Sequence, residues 1–482
     1  MPILFAAFAA AAVAARAPMI ETVACSHFTE LSNGVHAECG YLRVPEDRGI
    51  VSSRTIGVPF AIVHNARRTA DDPVVLMTGG PGVRGIPRTL HAVDPSFGGR
   101  DVIFFEQRGT ALADPPLQCL GYTEEKQRAQ RGEIGSASLA QGLIRVAARC
   151  VGAARRSGVQ LSGYTTAEMV ADLEDLRALR DYRQINLVGL SYSGRVISEY
   201  ARDHPDRVRA VVANTPLPIE ADYDETGETG MRRSLDLVIA GCERTPQCDE
   251  AHPQLQMKFR QIVARAERHP WHLRVPDPDR PGQSIAIVST GWVVANALLD
   301  QLYDPSTFQS LPARIDAIWS GDRKALSAII DISKSNYPWL MRISVWCNEE
   351  EPFEDKGKIA GDLKAYPEFA GVDQATVPLG LCEAAGFKAR PPAGENRAVK
   401  SNVPFLIFSG AMDPATQPAW HRAMVRTLLN ATLVLFPWRG HGAGFNRCGA
   451  AILEQFLKVP TAKLDTRCVD QMPEPDMNSR LD

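Results

Sequence analysis

No excess of positive charge runs through this sequence: 53 lysines and arginines stand against 56 aspartates and glutamates, a net charge of −3 over 482 residues. Such a balance supplies no basic field to hold nucleic acid or an anionic membrane surface. Metal-site patterns are missing too. There is no HExxH, no EF-hand loop and no histidine cluster, and the cysteines lack zinc-type CxxC spacing. Internal repeats are absent, as are low-complexity tracts beyond the N-terminus. The apolar, alanine-rich run at residues 1–17 is too short to span a bilayer, and no Lys or Arg precedes it. Its small residues around Ala15-Arg16-Ala17 suit a cleavage site, so it reads as an export signal. The expectations are a secreted or periplasmic protein with no stable membrane insertion, no nucleic-acid partner and no metal or other cofactor.

What is present is a large apolar share, 45% of residues, enough for one big domain with an insertion, or two domains. The cysteines number ten, an even count, and fall as near neighbours: Cys25 and Cys39, Cys119 and Cys150, Cys242 and Cys248, Cys347 and Cys382, Cys448 and Cys468. Sequential pairing is the simplest framework and suits an oxidising compartment.

The chain is organised around residues 185–200, INLVGLSYSGRVISEY, where an apolar run breaks on Gly189-Leu190-Ser191-Tyr192-Ser193-Gly194 and resumes at helical spacing. This predicts a strand, a sharp turn and a helix, with the Ser191 hydroxyl lifted above the sheet. The usual Gly-x-Ser-x-Gly pattern carries Ser193 in place of its second glycine, with Gly194 just after. Upstream, RTIGVPFAIV (54–63), PVVLM (73–77) and DVIFFEQRG (101–109) read as strands. Thr165 and Glu168 form a capping-box pattern, followed by Met169, Leu173, Leu176 and Leu179 on one helical face. One more short strand is expected at 208–212. Strands alternating with helices imply a mostly parallel sheet covered on both faces. From 215 to 400 the pattern is mostly helical, with helices expected at 231–241 and 255–268 and proline-rich joints at 276–278 and 391–394. This reads as an inserted helical lid between a first core part (18–214) and a second (401–482). Strands return at VPFLIFSG (403–410) and ATLVLFPW (431–438).

A serine hydroxyl needs a base within reach and a carboxylate to orient that base. Asp413 and His441 each follow a returning strand, in the order that a Ser, Asp, His triad takes on an α/β sheet. Two backbone amides must also face the developing oxyanion; Tyr192 supplies one and the glycine loop Thr78-Gly79-Gly80-Pro81-Gly82, at Gly80, the other. The same loop fits the dinucleotide fingerprint GxGxxG, but Pro81 lacks an N–H and Pro87 interrupts the helix that would hold a pyrophosphate, so no nucleotide is expected.

Together TGGPG (78–82), EQRG (106–109), GLSYSG (189–194), SGAMDP (409–414) and GHG (440–442) resemble the secreted proline iminopeptidase and tripeptidyl aminopeptidase branch of the α/β-hydrolases, over about residues 20 to 470. Thr78 and Glu106 stand where that family usually has His and Asp. The resemblance implies an α/β-hydrolase fold and cleavage of amides at a peptide's free amino end through an acyl-enzyme. The alternatives are a carboxylesterase or small-amide hydrolase using the same triad, and a catalytically silent binding protein on this fold. Recognition of an ammonium group calls for lid carboxylates. In Cys347-Asn348-Glu349-Glu350-Glu351, Glu349 resembles the family's acidic position, and the competing reading of this run is a solvated helix end. The expected partner is a peptide or a small ester or amide, bound by a monomeric or weakly associating enzyme.

Overall fold

The structure, a computed structural model, describes residues 17–278, 280–332, 337–369, 372, 376–389, 391 and 395–477. All but one residue of the expected export signal lies outside these, as do residues 392–394 of the second proline-rich joint. Nine strands make one sheet. In chain order they are β1 (Met19–Val23), β2 (Ala37–Pro45), β3 (Thr55–Val63), β4 (Val74–Met77), β5 (Val102–Phe105), β6 (Ile185–Leu190), β7 (Val208–Asn214), β8 (Phe405–Gly410) and β9 (Ala431–Phe436). Across the sheet the order is β1-β2-β3-β5-β4-β6-β7-β8-β9. The first four pair antiparallel, and every neighbour pair from β5 to β9 is parallel. Parallel strands are covered on both faces, which is why β8, FLIFSG, is buried at every position.

The helix before β6 spans Thr166–Leu179. Half of the expected capping box forms: the Thr165 hydroxyl accepts the Glu168 amide at 3.3 Å, but the Glu168 carboxylate turns to Arg48. Met169, Leu173 and Leu176 are buried, whereas Leu179 is exposed, because it ends the helix where the chain turns away through Asp181 at a φ of 54°. Between β7 and β8 the chain is mainly helical, including Gly227–Glu243, Leu255–Arg268 and Trp339–Glu349. It also holds an antiparallel hairpin, Trp271–Pro276 with Ser284–Ser289, and the proline-rich joint at 276–278 runs from the first strand's last residue into that hairpin's turn. All ten cysteines pair in sequence order, and each such bridge typically adds about 2–4 kcal/mol. Among the described residues no helix is long and apolar enough to cross a membrane.

Candidate active site

β6 ends in a turn on which Ser191 holds a φ of 57°, a left-handed conformation uncommon outside glycine and a recurrent mark of functional turns. The turn survives because its neighbours are small. A Cβ on Gly79 would fall 2.6 Å from Ser191 Cβ, and one on Gly194 would fall 2.4 Å from Pro216 Cβ. Ser193, in the place usually taken by glycine, is fully buried, and its hydroxyl lies 2.9 Å from the carbonyl oxygens of both Met77 and Leu190. It therefore ties the turn to the end of β4 and faces away from solvent.

Asp413 lies in the turn after β8 and His441 in the turn after β9, so the parallel sheet delivers both to the edge where β6 ends. His441 Nδ1 and Asp413 Oδ2 are 3.0 Å apart. The other carboxylate oxygen accepts the amides of Ala415 and Thr416 at 2.8 and 2.9 Å, and the Thr416 hydroxyl donates to Oδ2 at 2.8 Å. Burial alone would raise the Asp413 pKa, but the His441 charge and these hydrogen bonds outweigh it and hold the carboxyl below its usual range. Another histidine, His421, is fully buried and has both ring nitrogens engaged, by Ser409 Oγ at 2.7 Å and the Pro216 carbonyl at 2.9 Å.

The glycine loop drapes over the Ser191 turn and is knitted in place by the EQRG stretch. Gln107 accepts the Gly82 amide at 2.9 Å and donates to the Thr78 and Gly79 carbonyls at 2.7 and 3.1 Å. Glu106 accepts the amides of Gly85 and Ile86, both at 2.8 Å. Arg108, wholly buried, bonds both carboxylate oxygens of Asp172 at 2.8 and 2.7 Å. From the insertion, Arg342 donates to the Gly80 carbonyl at 2.6 Å and Tyr337 to that of Pro81. Among the described residues no protein acceptor takes the amide of Gly80 or of Tyr192. Nothing in the sequence assigns a role to Thr416 or Arg342, and for Glu106 and Gln107 the signal is the EQRG motif itself.

A family model for the alpha/beta hydrolase fold matches residues 72–447, more than half of the chain. The chain belongs to the α/β-hydrolase family. Among relatives, it is 24% identical over 456 residues to the serine protease Hip1 of Mycobacterium tuberculosis, covering 87% of this hydrolase and 84% of that protein. It is 26% identical over 188 residues to the tripeptidyl aminopeptidase of Streptomyces lividans, covering 37% and 35%. A solved proline iminopeptidase from Mycobacterium smegmatis superposes with a TM-score of 0.39 at 12% identity, over 87% of this chain and 98% of that one. The two sequence relatives agree with the branch that the motifs resemble, and the chain is a serine hydrolase of this fold.

The acidic run of this hydrolase is not a solvated helix end. Glu349 is 4% exposed and Glu350 2%, because the helix Trp339–Glu349 is buried on nearly every face. Glu349 accepts the amide of Thr166 and, at 2.7 Å, its hydroxyl, which in turn lies 2.9 Å from the Tyr192 hydroxyl. The carboxylate thus stands two hydrogen bonds from the side chain next to Ser191. Glu350 pairs with the buried Arg195. Burial pushes the Glu349 carboxyl up to about 8, against the opposing pull of Arg195 and Thr166. An acid raised in this way binds its proton more tightly when folded. Its contribution to stability is full below the ordinary 4.5 and declines as the pH climbs toward 8. Glu349→Gln, which does not titrate, should therefore gain melting temperature relative to wild type across that window. A difference between the two proteins that stays flat with pH would contradict the assignment.

Proposed function

We propose that the enzyme hydrolyses amide bonds at peptide N-termini, with Ser191 as nucleophile, His441 as general base and Asp413 as the group that orients it. The observation that carries this reading is the His441 to Asp413 hydrogen bond at the same sheet edge as the strained Ser191 turn. With its proton on Nδ1 toward Asp413, His441 leaves Nε2 to accept the Ser191 proton. Ser191 Oγ then bonds to the substrate carbonyl carbon, and the carbonyl oxygen takes up negative charge toward the amides of Gly80 and Tyr192. His441 returns the proton to the leaving amine as the C–N bond breaks. Water, activated by the same base, cleaves the acyl ester and restores Ser191.

The insertion acts as the lid. Its Tyr303 packs edge-on against the His441 ring, centroids 5.9 Å apart, while Tyr337 and Arg342 reach the glycine loop. The five disulfides support an exported enzyme, secreted or periplasmic. A peptidase is favoured by the names of the two sequence relatives above and by Glu349, a buried carboxyl whose ionisation a substrate ammonium would favour. Its engagement by Thr166 favours the other reading, a carboxylesterase with the same triad.

The discriminating measurement compares a peptide substrate with its N-acetylated form. Losing a charged contact worth roughly 3 kcal/mol should cut kcat/KM about 10²-fold on acetylation, with Glu349→Gln impairing free-amine substrates far more than blocked ones. Equal rates on both forms would remove the free-amine requirement and shift the reading to the carboxylesterase.

A further inference from the structure

The end of β7 touches the loop of every residue in the proposed triad. The Asn214 carbonyl accepts the Ser191 amide at 3.1 Å, and the Ser191 carbonyl accepts the Leu217 amide at 2.9 Å, so the segment 214–217 grips the nucleophile turn from both sides. The Thr215 hydroxyl accepts the Gly442 amide at 3.0 Å, and Asn214 Oδ1 accepts that of Gly444 at 3.0 Å, holding the loop that begins at His441. The single Thr416 hydroxyl proton is shared between the Thr215 carbonyl at 2.9 Å and Asp413 Oδ2 at 2.8 Å. Thr215 does this from a φ of 44° while fully buried. A β-branched residue there is a genuine outlier, held only where the surroundings over-determine it. Here the Thr215 amide donates to the Phe408 carbonyl at 2.8 Å, and His421 donates through Nε2 to the Pro216 carbonyl. Burial pushes His421 down to about 4, so it stays neutral and keeps the tautomer that this contact requires.

We propose that Thr215 is a positioning residue: its hydroxyl sets the His441 loop, and its carbonyl sets Thr416 beside Asp413, in register with the Ser191 turn. This rests on the reading of Ser191, Asp413 and His441 as the triad. A merely structural threonine would contribute to the melting temperature and leave turnover per active site untouched. A positioning one shifts kcat, because sub-ångström misplacement of a base degrades the reactive geometry.

The test uses the full-length enzyme and the variants Thr215→Val, Thr215→Ser and Thr215→Gly. It measures labelling of Ser191 by a fluorophosphonate, and kcat and KM on a chromogenic substrate normalised to labelled sites. Thr215→Val keeps the shape and loses the hydroxyl, so kcat and labelling rate should fall about tenfold to a hundredfold with KM within about twofold. Thr215→Ser restores the acceptor and should recover most of the rate. Thr215→Gly relieves the backbone strain yet lacks the hydroxyl, so it should stay slow, and it decides the matter if the valine variant does not fold. Wild-type kcat in the valine or glycine variant, or a serine variant as slow as valine, overturns the proposal. Label carried by a residue other than Ser191 in the wild type overturns the triad reading itself, and the proposal with it.

Discussion

Ser191→Ala should lose about 10⁶-fold in kcat, while Ser193→Ala should stay within about tenfold of wild type. The two serines stand two residues apart in one turn and are chemically alike, so the contrast isolates position. Ser191 sits at the tip, at the left-handed φ of 57° that lifts its side chain off the sheet edge. Ser193 is fully buried, and its single proton is shared between the Met77 and Leu190 carbonyls. Removing that hydroxyl costs about 1 kcal/mol of stability and leaves a residue still small enough for the turn. Turnover with saturating substrate, corrected for folded protein, checks both. Comparable losses in the two variants would sink the assignment of the nucleophile.

Asp413→Asn should lower kcat by about 10⁴-fold with little change in KM. The reason is which atoms can face which. The amides of Ala415 and Thr416 can only donate, so the asparagine must keep its carbonyl oxygen on them, as Asp413 keeps Oδ1. Its NH₂ then faces His441 Nδ1, where the carboxylate Oδ2 had stood. Nδ1 becomes an acceptor, the imidazole proton moves to Nε2, and that nitrogen no longer takes a proton from Ser191. The fold should tolerate the change, since every backbone donor in the turn keeps its acceptor. A variant with kcat within tenfold of wild type would show that Asp413 does not set the tautomer, and the orienting role would have to pass elsewhere.

The sequence by itself carried the parts of this protein that are local. Apolar runs of four to six residues bounded by turns marked the parallel strands, and small residues around Ser191 marked its turn, because a strand buried on two faces and a strained turn each restrict the residues within them. The order of Ser191, Asp413 and His441 behind separate strands was legible for the same reason.

Only the tertiary structure decided the rest. For Glu349 and Glu350 the sequence leaves a substrate-facing carboxylate and a solvated helix end both open, and their burial depends on Thr166 and Arg195, which arrive from distant elements. The proline-rich stretch at 276–278 reads as a joint, yet cross-strand pairing of Trp271–Pro276 with Ser284–Ser289 makes it part of a hairpin. Leu179 fits the helical period but falls at the helix end, where no element covers it. Thr215 and Asn214 gave no signal at all, since their partners Gly442 and Gly444 lie more than two hundred residues on. Hydrogen bonds of that span leave no periodicity or composition to read. They exist because a parallel sheet brings the ends of β6, β7, β8 and β9 to one edge, whatever the length of chain between them.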